Sequence, residues 1–250
     1  MSMTKNNPLG ILSANLLKII AMLAMTVDHY AVLFHPYDLA WRIPGRIAFP
    51  IFAFFIAEGY RYTKNRIRYF LTLAAAGTVF QLVYYFFTGG DMRNIFITLA
   101  LSLIPVALSD LAKRLLLSQK THLAIRLLAP LPLLLSVVAL YFFDRWYRPD
   151  YGFFGCLLPL FASLFHMPRD TECPPLLKRL DILPVHLFCL AIPMGMLILT
   201  FGGVQIYSLL ALPLLCLYSG KRGKWKMKYF FYIYYPLHLV ALEGLYLLLR

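Results

Sequence analysis

"ANLLKIIAMLAMTVDHYAVLF", residues 14–34, is an apolar run in which only Lys18, Asp28 and His29 can carry a charge near neutral pH. A helix that crosses the hydrocarbon core of a bilayer needs about 20 mostly apolar residues, so this run predicts a transmembrane helix. Asp28 and His29 then lie where a membrane penalises charge. The run contains no clear small-residue cleavage site, and we expect it to be retained as an anchor.

The composition of the whole chain also indicates a membrane protein. Of its 250 residues, 61% are hydrophobic and only 14% are charged, and its mean hydropathy is +0.70, which is outside the range of soluble domains. The net charge of +13 does not indicate nucleic-acid binding, because the basic residues lie in short loops between apolar runs. Four scattered cysteines without a CxxC pair predict neither a metal site nor a disulfide framework.

Eight further apolar runs follow the first. They predict an all-α, polytopic membrane helix bundle of about nine transmembrane helices, with eight and ten as alternatives, folded as one domain over residues 1–250. The second and sixth runs are short, and only Gly202 and Gly203 separate the seventh from the eighth. The predicted spans are 14–34, 46–60, 68–88, 94–112, 122–143, 151–167, 182–200, 203–219 and 229–249.

The distribution of lysine and arginine predicts the orientation of these spans, because cytoplasmic loops carry the excess of both residues. With the N-terminus inside, 17 of the 24 lie in the N-terminal segment, in the loops after the even-numbered spans or at the span ends next to these loops, against 6 on the opposite side. We therefore expect a cytoplasmic N-terminus and an odd number of spans. The most basic loop, "GKRGKWKMK" (220–228), either signals this topology or binds an anionic lipid or a phosphorylated ligand.

Two polar positions of the first span have different expected partners. His29 lies about five residues, or roughly 8 Å of helix rise, from the outer end of the span. Neighbouring helical residues are about 100° apart, so Asp28 is expected to point away from His29, towards Arg46 or His238. His29 and Lys18 lie on one face of the first span, roughly 16 Å apart along its axis. This stripe joins a buried cation on the inner side to a histidine near the outer face. Alternatively, Lys18 only extends its amine to the inner headgroups.

The second span enters the membrane from outside in "WRIPGRIAFPIFAFFIAEGYR" (41–61). Arg46, at its outer end, is expected either to pair with Asp28 or to act as an interfacial anchor. Gly45 permits close packing at this point. Glu58, near the inner end, either has a structural role there or contacts substrate.

Three further spans contribute polar candidates. Asn94 opens the fourth span as a helix cap or a substrate contact, and Tyr151 opens the sixth as a candidate substrate contact. His238 follows Pro236 in the ninth span, where it is either a member of the site or a buried structural group. The remaining histidines are expected to be interfacial or core residues, and they are His35, His122, His166 and His186.

Several of these pieces together resemble the TraX family of membrane proteins, in family order and over nearly the whole chain. They are "LKIIAMLAMTVDH" (17–29), "GRIAFPIFAF" (45–54) with "EGY" (58–60), "NIFITLALSL" (94–103), "YGFFGCLL" (151–158) and "YPLHLVAL" (235–242). The named member of this family is associated with N-terminal acetylation of conjugative pilin, and TraX proteins look like distant relatives of membrane acyltransferases. The resemblance implies a multi-pass protein of the bacterial cytoplasmic (inner) membrane. Pilin itself does not carry over as acceptor, since many members are not evidently tied to conjugation.

The activity that this resemblance implies is acetyl transfer from cytoplasmic acetyl-CoA to an extracytoplasmic amine or hydroxyl, on a polypeptide N-terminus, a glycan or a lipid. His29 would act as general base, and Arg46 or Asn94 would stabilise the oxyanion. Lys18 and the inner basic loops would hold the phosphates of coenzyme A. The positions that the resemblance marks for testing are Asp28, His29, Arg46, Asn94 and His238.

Two other classes of function stay open on the sequence. A proton-coupled transporter would use Asp28, His29 and His238 as a relay through the bundle. A non-catalytic assembly subunit would use its polar groups to bind neighbouring helices. Within the enzymatic class, direct transfer and an acetyl-histidine intermediate are both compatible with the residues.

Overall fold

The computed structural model describes residues 7–88, 94–225 and 227–249, and these residues are mostly helical. They contain no β-strand, and an isolated bridge joins Leu12 to Tyr218. The α-helices of this part of the chain are α1 (Ala14–Phe34), α2 (Ala48–Tyr62), α3 (Arg66–Thr88), α4 (Ile95–Leu117), α5 (Leu123–Leu128), α6 (Leu131–Tyr147), α7 (Gly152–Ala162), α8 (Pro175–Leu180), α9 (Leu183–Phe201), α10 (Ala211–Cys216) and α11 (Lys228–Leu249). Its 3₁₀ helices are Leu39–Arg42, Pro44–Ile47 and Gly203–Leu210.

Helix α1 has the bounds that the sequence predicts. Ser13 caps its N-terminus, because the Ser13 hydroxyl oxygen accepts the backbone N–H of Leu16 at 3.3 Å. The buried face includes small residues, which let a neighbouring element approach closely. These residues are Ala14, Ala21, Ala24 and Ala31.

Seven helical segments are long and apolar enough to cross a membrane, by length and composition. They correspond to predicted spans one to five, seven and nine, which confirms the polytopic helix bundle. The fifth is divided into α5 and α6 by a turn at residues 129–130. The seven segments are Ala14–Phe34, Leu39–Tyr62, Arg66–Phe86, Ile95–Leu117, Leu123–Tyr147, Leu183–Phe201 and Tyr229–Leu249.

The other two predicted spans are shorter than expected. The sixth ends at Ala162, because the N–H and hydroxyl of Ser163 both bond to the Leu160 carbonyl and close the helix. The eighth begins as a 3₁₀ helix and continues as α10 to Cys216. It follows Gly202 and Gly203, whose positive φ values of 61° and 51° suit glycine.

The chain divides into two compact units, and each is described by itself. The first comprises Met1–Phe52 and Met194–Arg250, and the second comprises Ala53–Pro193. The expectation of one domain over residues 1–250 stays a prediction.

In the first unit, α1 and α11 run in the same direction. Near their N-terminal ends the Lys18 amine lies 5.2 Å from the centre of the Phe231 ring. Near their C-terminal ends the Phe34 and Tyr246 rings meet edge-on, with their centres 5.6 Å apart. Two membrane-crossing helices with the same direction begin on the same side, which agrees with the predicted odd number of spans.

The short eighth span extends from the level of the C-terminal end of α1 to the level of its N-terminal end. Its 3₁₀ helix packs against the 3₁₀ helix Pro44–Ile47, at the predicted outer end of the second span. Its other end lies beside the start of α1, where the Leu12 N–H donates to the Leu217 carbonyl at 2.9 Å. A 3₁₀ helix rises about 2 Å per residue, so this segment covers roughly 25 Å in spite of its length.

In the second unit, α4 is the central helix, and α3, α6 and α7 pack on it. The Thr98 hydroxyl donates to the Asp150 carbonyl just before α7, at 2.8 Å. The Lys113 amine donates to the Ser163 carbonyl just after α7, also at 2.8 Å. The stretch of α4 between these two contacts rises about 22 Å, so α7 with its flanking turns spans the same depth.

Candidate functional site

Asp28 forms a buried ion pair with Arg46, which the 3₁₀ helix Pro44–Ile47 carries. Each residue has 8% of its surface exposed. The Arg46 Nη2 donates to Asp28 Oδ2, and the Arg46 Nε donates to the Arg42 carbonyl at 3.3 Å. Because an uncompensated charge at this depth is costly, the pair fixes the 3₁₀ helix against α1.

Arg42 is a second arginine on the same carboxylate, and sequence reasoning missed it. Its Nε lies 3.2 Å from Asp28 Oδ1, with 34% of its side chain exposed. Two guanidinium groups around one carboxylate leave an excess of one positive charge in this trio. The spacing was a usable signal, because "WRIPGR" places Arg42 and Arg46 four residues apart, on one face of a helical turn.

Gly45 allows this arginine-bearing turn to approach α1. A Cβ atom added to Gly45 would overlap the Cβ of Asp28. No other residue type therefore fits between the two elements without moving one of them. Close approach is what brings Arg46 within hydrogen-bonding distance of Asp28.

His29 and His238 form a hydrogen-bonded pair between α1 and α11. His29 Nδ1 and His238 Nε2 are 2.7 Å apart, and the two ring planes are nearly parallel, with their centres 5.0 Å apart. His238 Nδ1 lies 3.0 Å from the Tyr234 carbonyl oxygen. A chain of polar contacts thus runs from His29 through His238 to the backbone of α11.

The end of this chain assigns the tautomers of both rings. A carbonyl oxygen only accepts, so His238 Nδ1 carries a hydrogen and donates to Tyr234. In neutral His238 the Nε2 is then the acceptor, and it receives the Nδ1–H of His29. Neutral His29 therefore has its lone pair on Nε2, which is the nitrogen that can take a proton.

Aromatic and hydroxyl groups hold the histidine pair in place. The Tyr234 ring stacks on His238 at 5.2 Å, and its hydroxyl lies 2.7 Å from the Thr26 hydroxyl. Tyr235 meets His29 edge-on at 6.4 Å. These contacts restrict rotation of both imidazoles.

Lys18 lies on the same face of α1 as His29, as the stripe predicts. Its amine makes a cation–π contact with Phe231 of α11, and His29 contacts His238 of the same helix. The stripe from Lys18 to His29 thus faces α11 at both ends.

The arrangement in the first unit combines a proton acceptor with positive charge. His29 has Asp28, Arg42 and Arg46 within electrostatic reach. A base beside fixed guanidinium groups can deprotonate a nucleophile and stabilise a developing oxyanion. Four of the predicted site residues meet in this unit, namely Asp28, His29, Arg46 and His238.

Asn94 belongs to the second unit and caps α4. Its Oδ1 accepts the Ile97 N–H at 3.2 Å. Its amide donates to the Gly77 carbonyl at 3.1 Å and to Gln81 Oε1 at 3.0 Å. These contacts occupy its donors and favour the cap over the substrate contact.

Tyr151, the residue before α7, has its backbone in the left-handed region, at a φ of 59°. Arg148, three residues earlier, also has a positive φ of 51°. Two such non-glycine residues make a strained turn, and strain of this kind concentrates at functional sites. The role of Tyr151 as a substrate contact stays a prediction.

Glu58 belongs to a group that we call the inner histidine cluster: the buried Glu58, His166, Asp181 and His186 and the partly buried Arg61. Arg61 pairs with Asp181 through two hydrogen bonds of 2.7 and 2.6 Å. His186 Nε2 is 3.0 Å from Asp181 Oδ1, and His166 Nε2 is 3.4 Å from Glu58 Oε1. The two imidazole rings meet edge-on, with their centres 4.3 Å apart.

The protonation states of this cluster follow from its surroundings. Burial lowers the pKa of His166 well below its ordinary value, and the charges of His186, Arg61 and Lys113 lower it further. Burial alone would raise the pKa of Asp181, but hydrogen bonds from His186 and Arg61 outweigh it and hold that pKa below its usual range. His166 is therefore neutral and Asp181 ionised at neutral pH.

His166, Asp181 and His186 offer ligand atoms that lie within 4.8 Å of one another, a spacing that suits a metal ion. Both Asp181 oxygens, however, accept hydrogen bonds from Arg61. The Arg61 and Lys113 charges disfavour a divalent cation here. The expected absence of a metal stays a prediction.

The sequence predicted His166 and His186 as core or interfacial residues, and both are buried. Their convergence with Asp181 was missed because they come from separate segments of the chain. The available signal was the charged pair itself, since Arg61 and Asp181 both lie at predicted inner ends of spans.

Helices of bilayer length, with charged and histidine pairs buried among them, define a polytopic α-helical membrane protein. The chain belongs to the TraX family, because the family described as "TraX protein" matches residues 13–246. It is similar to "Probable fimbrial assembly protein FimC, serogroup H1" of Dichelobacter nodosus, with 28% identity over 250 residues, which covers 92% of this chain and 94% of that protein. An uncharacterized protein of Rickettsia prowazekii (strain Madrid E) is 43% identical over 54 residues, or 22% of this chain and 21% of that one. No solved structure matches the chain.

Proposed function

We propose that this protein is a membrane acetyltransferase of the bacterial cytoplasmic membrane. It moves the acetyl group of cytoplasmic acetyl-CoA to an amine or hydroxyl of an extracytoplasmic acceptor. Membership of the TraX family supports the reaction class. The charge pattern of the loops supports the orientation, with the outer ends of α1 and the second span facing the acceptor.

The observation that carries this proposal is the hydrogen-bond chain from His29 through His238 to the Tyr234 carbonyl. It fixes the His29 ring and leaves the Nε2 lone pair as the base. A relay in which His238 accepts from His29 resembles the support that orients catalytic histidines in other acyl transferases. His238 is a positioning residue in this scheme.

In the proposed step, the acceptor nitrogen or oxygen attacks the thioester carbon while His29 Nε2 takes its proton. Arg46 and Arg42 stabilise the negative charge that develops on the carbonyl oxygen. The tetrahedral intermediate then loses the sulfur of coenzyme A, which receives the proton from His29. Acetylated acceptor and free CoA are the products, and His29 returns to its neutral state.

The acceptor class is open between an exported polypeptide N-terminus, a glycan and a lipid. The similarity to a protein named for fimbrial assembly supports an exported fimbrial subunit as the first acceptor to test. Mass spectrometry of exported proteins, glycans and lipids from cells with and without the protein identifies the pool that gains one acetyl group.

The test of the proposal is acetyl transfer by purified protein in proteoliposomes, with labelled acetyl-CoA and candidate acceptors. We expect His29→Ala to lower kcat by about a hundredfold or more, because loss of a general base typically costs that much. The matched control is His35→Ala. His35 stacks on Trp41 near the same end of α1 and should leave kcat unchanged.

Three other outcomes would contradict the proposal. Wild-type rates in correctly inserted His29→Ala would remove His29 as the base. Proton-coupled flux without acceptor-dependent release of CoA would favour the transporter that uses Asp28, His29 and His238. Stable copurification with one partner and no response to acetyl-CoA would favour a non-catalytic assembly subunit.

A further inference from the structure

A cavity of about 320 Å³ opens in the second unit at the inner ends of α2 and α4 and beside the segment after α7. Its walls come from residues 60–66, from α4 between residues 106 and 114, and from residues 163–170. These are the ends of predicted spans two, four and six. Their loops carry the lysine and arginine excess that predicts the cytoplasmic side.

The charge of this cavity is strongly positive. The described residues that line it include two carboxylates, Asp110 and Asp170, which pair with Arg66 and Arg114. These lining residues carry an excess of four positive charges, which the pairing of Arg61 with Asp181 reduces to three, and the resulting field attracts a multivalent anion. The basic residues of the lining are Arg61, Lys64, Arg66, Lys113, Arg114 and Arg169.

Within the described part of the chain, three of these cations have N–H groups that can still bind an anion. Lys113 donates to the backbone carbonyls of Ser163 at 2.8 Å and His166 at 3.2 Å, and to no carboxylate. The Arg169 guanidinium carbon lies over the Tyr62 ring, 4.2 Å from its centre, and a cation–π contact of this kind does not use the N–H donors. Lys64 is exposed at the rim.

His166 provides a separate observation that points to a ligand. It lines the cavity, has only 8% of its surface exposed, and neither of its ring nitrogens forms a hydrogen bond with a described residue, although Nε2 lies 3.4 Å from Glu58 Oε1. Buried polar atoms are normally satisfied, so a polar group from outside the protein is expected at this wall. Neutral imidazole can donate one hydrogen bond to a phosphate oxygen.

We propose that this cavity binds the phosphate groups of coenzyme A, with Lys64, Lys113 and Arg169 as the binding cations and His166 as a hydrogen-bond donor. This inference rests on the proposed function, because acetyl-CoA is the donor there. A nucleotide that carries a phosphomonoester and a pyrophosphate matches the size of the cavity and its charge. The same chemistry occurs in anionic lipid headgroups, and the experiment separates the two sources.

The direct test is calorimetric binding of adenosine bisphosphate, which carries phosphates on the nucleoside of coenzyme A but lacks the thiol arm. The protein is held in nanodiscs of phosphatidylcholine. Lys64→Gln combined with Arg169→Gln should weaken binding of adenosine bisphosphate and CoA by about tenfold to a hundredfold, since each charge-assisted contact is lost. Both positions lie near the cavity rim, where substitution leaves the helix packing intact.

The matched control is Lys120→Gln combined with Lys178→Gln, which removes the same charge from exposed positions of the inner loops outside the lining. The control pair should change affinity by less than about threefold, through general electrostatics alone. Equal weakening in both pairs overturns the assignment. The assignment is also overturned if neither nucleotide binds and the protein binds phosphatidylglycerol instead, with the rim pair weakening that binding. This result would identify a site for a lipid headgroup.

Failure of this inference and failure of the proposed function give different results. If the rim pair transfers acetyl groups with an unchanged KM for acetyl-CoA, the cavity is not the donor site and the proposed function stands. If adenosine bisphosphate binds with the expected dependence on the rim pair but no acceptor is acetylated, the cavity assignment stands and the acetyltransferase proposal fails.

Discussion

At the scale of single residues, Asp28 is the point where three charges meet. Asp28→Asn leaves Arg46 buried without this carboxylate, and we expect it to lower the free energy of unfolding by about 3–5 kcal/mol. Arg46→Gln should cost less, because Arg42 still lies 3.2 Å from Asp28. The double variant should be more stable than the sum of the two losses implies, by about 1 kcal/mol or more. Thermal and denaturant unfolding in detergent measures the cycle, and strictly additive losses would exclude the coupling.

His166 makes a prediction about pH at the same scale. Its pKa lies below its ordinary value of 6.5 in the folded state, so the unfolded chain binds the proton more readily. Its contribution is therefore present above pH 6.5 and is lost as the pH falls below that value. The contribution of Asp181, whose pKa is lowered from 3.8, is lost only at more acidic pH.

We expect the melting temperature of the wild-type protein to fall between about pH 7 and about pH 5, and His166→Gln to flatten this dependence. The control is His122→Gln, which replaces an exposed histidine that caps a short helix. An unchanged pH slope in His166→Gln would show that His166 is not buried in its neutral form.

At the scale of elements, the length of a continuous apolar run predicted the bounds of the long helices reliably. The bounds of α1, α9 and α11 could be predicted to within a residue because each helix coincides with one long apolar run that holds few ionisable residues. The 3₁₀ helices at 39–47 and 203–210 could not, since 3₁₀ and α patterns differ little over a few residues. The C-terminal end of α7 depends on hydrogen bonds made by Ser163, which local composition does not reveal.

Gly45 tests how one of these 3₁₀ helices is placed. Gly45→Ala puts a Cβ where the Cβ of Asp28 lies, and we expect a loss of about 1–3 kcal/mol through overpacking. Acetyl transfer should fall as well, because Arg46 moves with the turn. The matched control is Gly244→Ala in α11, where an added Cβ has nothing within 4 Å. Equal stability of the two variants would show that the turn does not need the close approach.

At the scale of the whole molecule, the sequence could predict which residues are polar within spans but not all of their partners. Asp28 and Arg46 were matched because both lie at the predicted outer level of adjacent spans. The pairing of His29 with His238 depends on the packing of the first span against the last, which no local pattern encodes. The inner histidine cluster was missed for the same reason, since its members come from α2, α9 and the segments that follow α7 and α8.

The topology supplies the last prediction, and its decisive element is α7. Because α7 joins the Thr98 and Lys113 levels of α4, it should return the chain to the cytoplasmic side and place Lys178 there. Single cysteines at Tyr37, Lys120 and Lys178 in a Cys216→Ser background report this, because the other three native cysteines are buried.

A membrane-impermeant maleimide should label Tyr37→Cys in intact spheroplasts, where residue 37 is exposed after α1. It should label Lys120→Cys and Lys178→Cys only after permeabilisation. Labelling of Lys178→Cys in intact spheroplasts would mean that α7 does not cross. Labelling of Lys120→Cys there would place the cavity at the ends of α2 and α4 on the wrong side for a cytoplasmic donor.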